Sequence, residues 1–296
     1  MRIDTRSTVF DGDATSLALP IALGLSRSCH GRRAALWLRF REVRRRTAPR
    51  AASSMEDRDA PKVRALGPPH PGWVPGQKQP NAGLSGRTVS IDSSLPGMYP
   101  LVISAVVPRP IALVSTVDAA GVVNVAPFSY FGAMAHDPPH VAFAISHPGP
   151  GVEKDTLRNL KGSGDCCVHI ISHSYVEAAN HTSIPADPGV SELDLAGLTA
   201  VPCDDVKPPR LAEAAVAMEG KLVHTYDVHN AAGALTTTMC IVHVTKFHIA
   251  EEVLEGREDG KVGRVNYEKL APVARLGGIT YGMISETFDI PRPPKP

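Results

Sequence analysis

Short stretches of apolar and β-branched residues, separated by turn residues, run through most of the chain, and this pattern predicts strands. Residues 111–117 form one such stretch and residues 122–126 form the next. Between them Asp118 stands first and Gly121 fourth, as a type I turn prefers, so the segment predicts a β-hairpin. Four further stretches have the strand pattern: 140–146, 166–171, 216–228 and 235–249. The last two flank Asn230–Gly233 and predict a second hairpin with a larger loop.

Helical patterns are few and short. Residues 153–161 predict a helix that ends at Gly162. Residues 174–180 predict another, because Ser174 followed three residues later by Glu177 fits a capping box. Five or six strands with so few helices favour an all-β barrel over a layered βαβ sheet. The chain contains neither GxGxxG nor GxxxxGKS, so the sequence predicts no Rossmann or P-loop nucleotide site.

The N-terminal part of the chain differs in composition from the rest. Eight arginines lie between positions 32 and 50 with a single acid, Glu42. An organelle transit peptide, a poorly ordered extension and an untranslated region upstream of Met55 all fit this composition. We expect a cytoplasmic protein, or a mitochondrial one if this leader is a transit peptide. The predicted boundaries are a basic, disordered leader at 1–54, a Pro/Gly-rich arm at 55–97, the folded domain at 98–290 and a Pro-rich tail at 291–296.

Charge and cysteine content narrow the class of partner. The 31 Lys and Arg residues nearly balance the 30 Asp and Glu residues, which argues against nucleic acid or an anionic membrane as the main partner. A small-molecule or protein partner is expected instead. The longest apolar run, Leu17–Leu25, is too short for a membrane span. The five cysteines include no CxxC pair, so neither a disulfide framework nor a zinc knuckle is predicted.

Residue types that bind metals occur close together at Cys166, Cys167, His169 and His173. Adjacent cysteines in a strand point to opposite faces and do not easily share one ion. We therefore interpret this segment as a core strand. The sequence predicts no metal site.

Three polar segments carry the candidate chemistry: Ser115–Thr116, Asn124–Ser129, and Lys154–Thr156 with Arg158–Asn159. Hydroxyls and a lysine at a helix start suit a phosphate monoester, because the free amides and the dipole at a helix N-terminus attract anions. The small residues Ala126 and Ser129, beside Pro127, suit a flat ring held against the backbone. A polar loop cluster without a ligand has the same composition, so the residues alone leave both interpretations open.

The order and spacing of longer segments add a resemblance to a known family. The segments are Pro108–Ala112, Val114–Asp118, Asn124–Phe131, Asp137–Pro139, Lys154–Asn159, Arg210–Glu213 and Arg275–Tyr281. Across residues 98–285 the chain resembles the flavin reductase-like, FMN-binding split-barrel family, which is associated with flavoprotein oxygenases. The resemblance implies a mainly β fold, a split β-barrel of Greek-key type with a few short helices. Met218–Leu222 departs from the family, which commonly has a cysteine before the Lys-Leu pair, and this puts a thiol role there in doubt.

The resemblance implies a homodimer that binds FMN near the subunit interface, often with NADH or NADPH as electron donor. The residues implied to surround the flavin are Ser115, Thr116, Asn124, Ala126, Pro127, Phe128 and Ser129. Those implied to hold its ribityl phosphate are Ser146, Lys154, Asp155 and Thr156, and the alternative for Asp155 is to cap the helix. Arg275 is a further cofactor-site candidate, with a structural role as its alternative.

The implied function is that of an FMN-dependent oxidoreductase of the flavin reductase type, in which flavin N5 accepts hydride. No catalytic residue is assigned. In one version a flavin-using oxygenase takes the reduced flavin, and in another the enzyme acts on its own small-molecule substrate. The alternative is a non-catalytic FMN-binding or flavin-storage protein.

Overall fold

Strands make up most of the regular secondary structure. The computed structural model describes residues 62–77, 86, 88–89, 97–149, 151–187, 189–256 and 262–295. These residues belong to one compact unit that spans 57–296. The predictions for the leader, and for much of the arm, lie outside the described residues.

The elements follow one another along the chain as short strands and shorter helices. The strands are β1 (Arg64–Leu66), β2 (Arg109–Pro110), β3 (Ala112–Val117), β4 (Val123–Phe128), β5 (Phe131–His136), β6 (Pro139–Ser146), β7 (Asp165–Ile170), β8 (Ala200–Val201), β9 (Arg210–Leu211), β10 (Val216–His229), β11 (Leu235–Ile249), β12 (Leu254–Glu255), β13 (Arg264–Val265), β14 (Val273–Gly277), β15 (Thr280–Met283) and β16 (Glu286–Phe288). The α-helices are α1 (Met98–Ala105), α2 (Asp155–Ser163), α3 (Val176–His181), α4 (Glu192–Leu195) and α5 (Tyr267–Leu270). Among the described helices, none is long and apolar enough to cross a membrane.

A seven-stranded antiparallel sheet of order β4-β3-β7-β10-β11-β6-β5 forms the centre of the fold. The predicted first hairpin is confirmed by β3 and β4, and at its turn the Gly121 amide donates to the Asp118 carbonyl at 3.1 Å. Gly121 has φ 89°, a conformation that glycine adopts without steric cost. The predicted second hairpin is confirmed by β10 and β11, of 14 and 15 residues. A separate sheet of order β15-β14-β2 brings Arg275 opposite Arg109.

The two faces of the central sheet pack against different apolar clusters. Ala112 and Val114 of β3 belong to the first cluster, together with Leu157 of α2. Leu113, between them in sequence, belongs to the second cluster with Leu198. Successive strand residues point to opposite faces, so one strand can serve both clusters. Helix α2 therefore lies on the first face of the sheet, and α3 and α4 pack on the second.

Some local features of the structure differ from the prediction. Strand β5 and helix α1 were not predicted. Helix α2 ends at Ser163 and is closed by Gly164, with φ 74°, instead of ending at Gly162. The prediction of a capping box at Ser174 is wrong. A 3₁₀ turn at His173–Tyr175 precedes α3, and no described side chain caps either element. The arm also contributes strand β1, which pairs in parallel with β16.

Gly220 on β10 stands directly before the Lys-Leu pair, at the position where the resemblance leads us to expect a cysteine. A Cβ there overlaps Cγ1 of Val242, which is fully buried in the first cluster. We expect Gly220→Cys to destabilise the fold by about 1–3 kcal/mol, because overpacking a close-packed core forces strain. Urea unfolding of Gly220→Cys alone and combined with Val242→Ala tests this. If the second substitution restores no stability, the overlap is not the cause.

Candidate functional site

A buried polar network joins β3 and β4 to the start of α2. The Asn124 amide group donates to the hydroxyls of Thr116 and Thr156, at 3.1 and 2.9 Å. Asn159 donates to the same Thr116 hydroxyl at 3.1 Å. All four side chains are nearly inaccessible, with 7% exposure or less. Buried side-chain networks of this kind hold their members in one arrangement when every group is satisfied.

The N-terminus of α2 retains free donors beside this network. Lys154 has extended backbone angles and its carbonyl accepts from the amides of Leu157 and Arg158. No side chain caps the helix, and the amides of Asp155 and Thr156 donate to no other described residue. Two free amides at the positive end of a nine-residue helix form an anion-binding arrangement.

The charged groups around this helix end are unequally engaged. The Lys154 side chain is exposed and its ammonium has no ion-pair partner within the described ranges. The Asp155 carboxylate instead pairs with Arg158, one turn further on. It makes no capping hydrogen bond to the helix. Lys154 is therefore the cation that is free to meet a ligand at this position.

The predicted site residues on β3 divide between the two faces of the sheet. Thr116 points to the α2 side, whereas the adjacent Ser115 is fully buried on the other side. The Ser115 hydroxyl donates to the Pro209 carbonyl at 2.6 Å and lies 3.4 Å from the Cys167 carbonyl. Ser115 thus tethers the loop before β9, and its side chain is remote from α2.

One cleft of about 360 Å³ contains three of the predicted site residues: Pro127, Ser129 and Arg275. The Arg275 guanidinium lies 4.5 Å from the centre of the Tyr281 ring and donates to the Gly278 carbonyl. The remaining lining residues are Ile111, Asn180, Ser183, Ile279 and Tyr281. The cleft therefore combines apolar side chains with an arginine whose position is fixed by stacking.

A second cleft of about 300 Å³ lies at the other end of β4. Asn124, Asp155, Arg158 and Asn159 line it, together with Gly189 and Val190. β4 is an edge strand of the central sheet, so one side of its backbone is not paired with another strand. Pro127 suits such an edge because it lacks a donor. The segment Asn124–Ser129 thus contributes residues to both clefts.

The remaining predicted residues lie apart from the clefts. Phe128 is buried and stacks on Phe143, with ring centres 5.4 Å apart, while Ala126 packs against the same cluster. Ser146 is exposed at the end of β6, opposite Thr237. The structure therefore brings Thr116, Asn124, Asp155 and Thr156 together, and separately Pro127, Ser129 and Arg275.

Two residues outside the predicted cofactor set belong to this region: Asn159, from a polar segment singled out in the sequence, and Glu192. Asn159 lies three residues after Thr156, a helical spacing that predicts one shared face. Glu192 of α4 is buried and accepts the Val125 amide of β4 at 3.2 Å. Burial raises the pKa of the Glu192 carboxyl above its ordinary value, although its backbone hydrogen bonds oppose this. No local sequence signal identifies Glu192, because its partner lies 67 residues away.

Similar proteins were found by sequence and by structure. An uncharacterized protein of Halalkalibacterium halodurans is 38% identical over 195 residues, which cover 66% of this chain and 90% of the relative. This bacterial relative gives no support to a mitochondrial location. The solved nitrilotriacetate monooxygenase component B from Bacillus cereus is 33% identical, with a TM-score of 0.64, and covers 70% of this chain and 100% of that one.

The fold predicted from the resemblance is confirmed. A solved structure described as a putative flavin reductase with split barrel domain, from Shewanella frigidimarina, has a TM-score of 0.56 at 21% identity and covers 67% of this chain and 91% of that one. At this identity the likeness shows the fold alone: a mainly β split barrel with a few short helices. Residues 104–264, more than half of the chain, match the model of the flavin reductase like domain. The chain belongs to the flavin reductase-like domain family.

Proposed function

We propose that the protein is an FMN-binding oxidoreductase of the flavin reductase type. The observation that carries the proposal is the uncapped N-terminus of α2, where two free amides and Lys154 adjoin the Thr116–Asn124–Thr156–Asn159 network. Family membership supports the same function. The alternative of a metal-independent hydrolase is not favoured, because no described serine in these clefts has a histidine as a hydrogen-bond partner.

The donor set at α2 fits the phosphate of FMN. The amides of Asp155 and Thr156 and the Lys154 ammonium would bind the phosphate oxygens. The whole Thr156 residue is 1% exposed and its hydroxyl accepts from Asn124, so we assign the hydroxyl to the network. Asn124, held by two threonine hydroxyls, would orient the polar chain between phosphate and ring.

The cleft with Pro127, Ser129 and Arg275 fits the ring portion. Its apolar residues Ile111 and Ile279 would contact a flat ring, and Arg275 would place a positive charge beside that ring. Bound FMN would supply the hydride acceptor at N5. The protein's own contribution is to bind, orient and exclude water, and we assign no acid or base to it. Ser115 and Ser146 are not part of the proposed site. The Ser115 side chain is buried on the face of the sheet opposite α2, and Ser146 lies at the end of β6, apart from both clefts.

We propose NADH or NADPH as the electron donor and a homodimer as the assembly. The component B neighbour supports a version in which a partner oxygenase uses the reduced flavin. To test activity, purified protein with bound FMN is mixed with NADH or NADPH without oxygen. We expect the flavin absorbance to bleach with saturating dependence on one nucleotide. Bound flavin that neither nucleotide bleaches would instead identify an FMN-storage protein.

A further inference from the structure

Three metal-binding side chains meet on the second face of the central sheet, away from α2. Cys203 lies in the loop between β8 and β9, Glu219 on β10 and His248 on β11. One ligand atom from each lies within 4.8 Å of the other two. Thiolate, carboxylate and imidazole are the three ligand types that proteins use for zinc.

The sheet register explains how these residues meet. Glu219 pairs with Lys246 on β11, and His248 follows two residues later, so both Glu219 and His248 point to the same face. On the other side of β10, Glu219 pairs with Cys167 of β7. Cys167 therefore also points to this face, but its thiol is not one of the three ligand atoms that meet.

The Glu219 carboxylate is fixed in orientation. It is fully buried, and its two oxygens accept the amides of Asp204 and Asp205 at 2.9 and 2.6 Å. One of these oxygens also lies 2.5 Å from Nε2 of His248. A proton shared between this Glu219 oxygen and Nε2 of His248 occupies the place that an ion bound by both side chains would take. An ion would displace that proton and the thiol proton of Cys203, as metals generally displace protons from their ligands.

Access and charge both suit a divalent ion. The His248 side chain is 21% exposed and Cys203 is partly exposed, so an ion can reach the cluster from solvent. One thiolate and one carboxylate balance the charge of a divalent cation, with a neutral imidazole as third ligand. The neighbouring carboxylates of Asp204 and Asp205 are engaged by Lys246, at 3.1 and 3.2 Å.

We propose that Cys203, Glu219 and His248 bind a divalent metal ion of the zinc class that fastens the loop at residues 202–209 to β10 and β11. Cys166, next to Cys167 in β7, points to the other face of the sheet, as the sequence predicts, and is not a ligand. The ligands come from three separate elements, which is why spacing along the chain did not reveal them. The site lies on the opposite face of the central sheet from α2.

Cobalt and zinc titrations of the full chain test the site. Cobalt bound by thiolate gives visible bands at longer wavelengths than oxidised flavin, and zinc should abolish them at about one ion per chain. We expect Cys203→Ser and His248→Gln each to weaken zinc binding by about a hundredfold or more. Replacement of His224, an exposed histidine on β10, by Gln is the matched control and should change nothing.

Stability provides a second readout that does not depend on cobalt. Saturating zinc should raise the Tm of the wild type and of His224→Gln, but not of Cys203→Ser, because only a folded site binds the ion. Circular dichroism without metal checks that each variant is folded. Absence of thiolate–cobalt bands in the wild type, or equal zinc affinity in the wild type and in either ligand variant, would overturn the proposal.

Discussion

Lys154→Ala is expected to lower FMN affinity by about tenfold to a hundredfold while the fold is kept. The Lys154 ammonium is exposed and has no ion-pair partner among the described residues, so its removal costs the apoprotein little. In the complex with FMN, the variant would lack a charge-assisted hydrogen bond to the phosphate, which is worth about 1.5–3 kcal/mol. Titration of the apoprotein with FMN, followed by quenching of flavin fluorescence, measures the effect.

Lys161→Ala provides a matched control on the same helix. Lys161 lies in the last turn of α2 and pairs with Glu153 at 2.6 Å, so it has the same charge on the same element but not at the free helix end. A riboflavin titration separates the phosphate contribution from that of the ring, because riboflavin lacks the phosphate. We expect Lys154→Ala to leave riboflavin affinity unchanged. Equal losses of FMN affinity in the two lysine variants would refute the phosphate assignment.

His169→Leu is expected to destabilise the fold by about 3 kcal/mol at neutral pH. The His169 ring is fully buried, with Nδ1 2.8 Å from the Leu113 carbonyl and Nε2 3.1 Å from the Leu211 amide. The neutral ring that donates from Nδ1 and accepts at Nε2 satisfies both neighbours. Leucine is similar in size but leaves a buried carbonyl and a buried amide unpaired, and each costs about 1–3 kcal/mol. Urea unfolding at pH 7.5 measures the loss.

The same histidine predicts a pH dependence of stability. Burial lowers the pKa of His169 from 6.5 to about 4, although its bond to the Leu113 carbonyl opposes the shift. Between these two pKa values, His169 is protonated in the unfolded chain and neutral in the folded chain. Stability is therefore complete above about pH 6.5 and is lost as the pH falls towards 4, by roughly 3 kcal/mol in total.

Comparison of unfolding free energies at pH 7 and pH 5 tests this linkage. The wild type and the control His224→Gln should lose stability in this window, because His224 is exposed. His169→Leu should lose less over the same window. The Glu219 carboxyl does not contribute to this pH dependence. Burial raises its pKa, but the amides of Asp204 and Asp205 and the His248 side chain lower it to about 2, which is below pH 5. A pH dependence unchanged by His169→Leu would contradict the assignment.

The hairpins could be predicted because their local signals agree with their tertiary pairing. β3 and β4 combine β-branched residues with a favourable turn at Asp118–Gly121. Strand β5 could not be predicted in this way, because Gly132, Ala133 and Ala135 have low strand propensity. Its conformation comes from pairing with β6 along residues 131–136. Tertiary pairing overrides propensity there.

The candidate site shows a similar division. The resemblance selected Ser115 and Thr116 together, whereas the two-residue period of a strand separates them onto opposite faces. Helical spacing from Thr156 was sufficient to find Asn159. Glu192 and the cluster at Cys203 depend on contacts between elements distant in sequence, and no local pattern carries that information.

FMN binding to the purified full chain is the measurement that tests the account most directly. Near-ultraviolet and blue absorption of the protein, followed by equilibrium titration of the apoprotein, reports both the presence and the stoichiometry of the cofactor. We predict about one FMN per chain, bound more tightly than riboflavin because the N-terminus of α2 and Lys154 meet the phosphate. Equal affinity for FMN and riboflavin, or no flavin binding at all, would contradict the account.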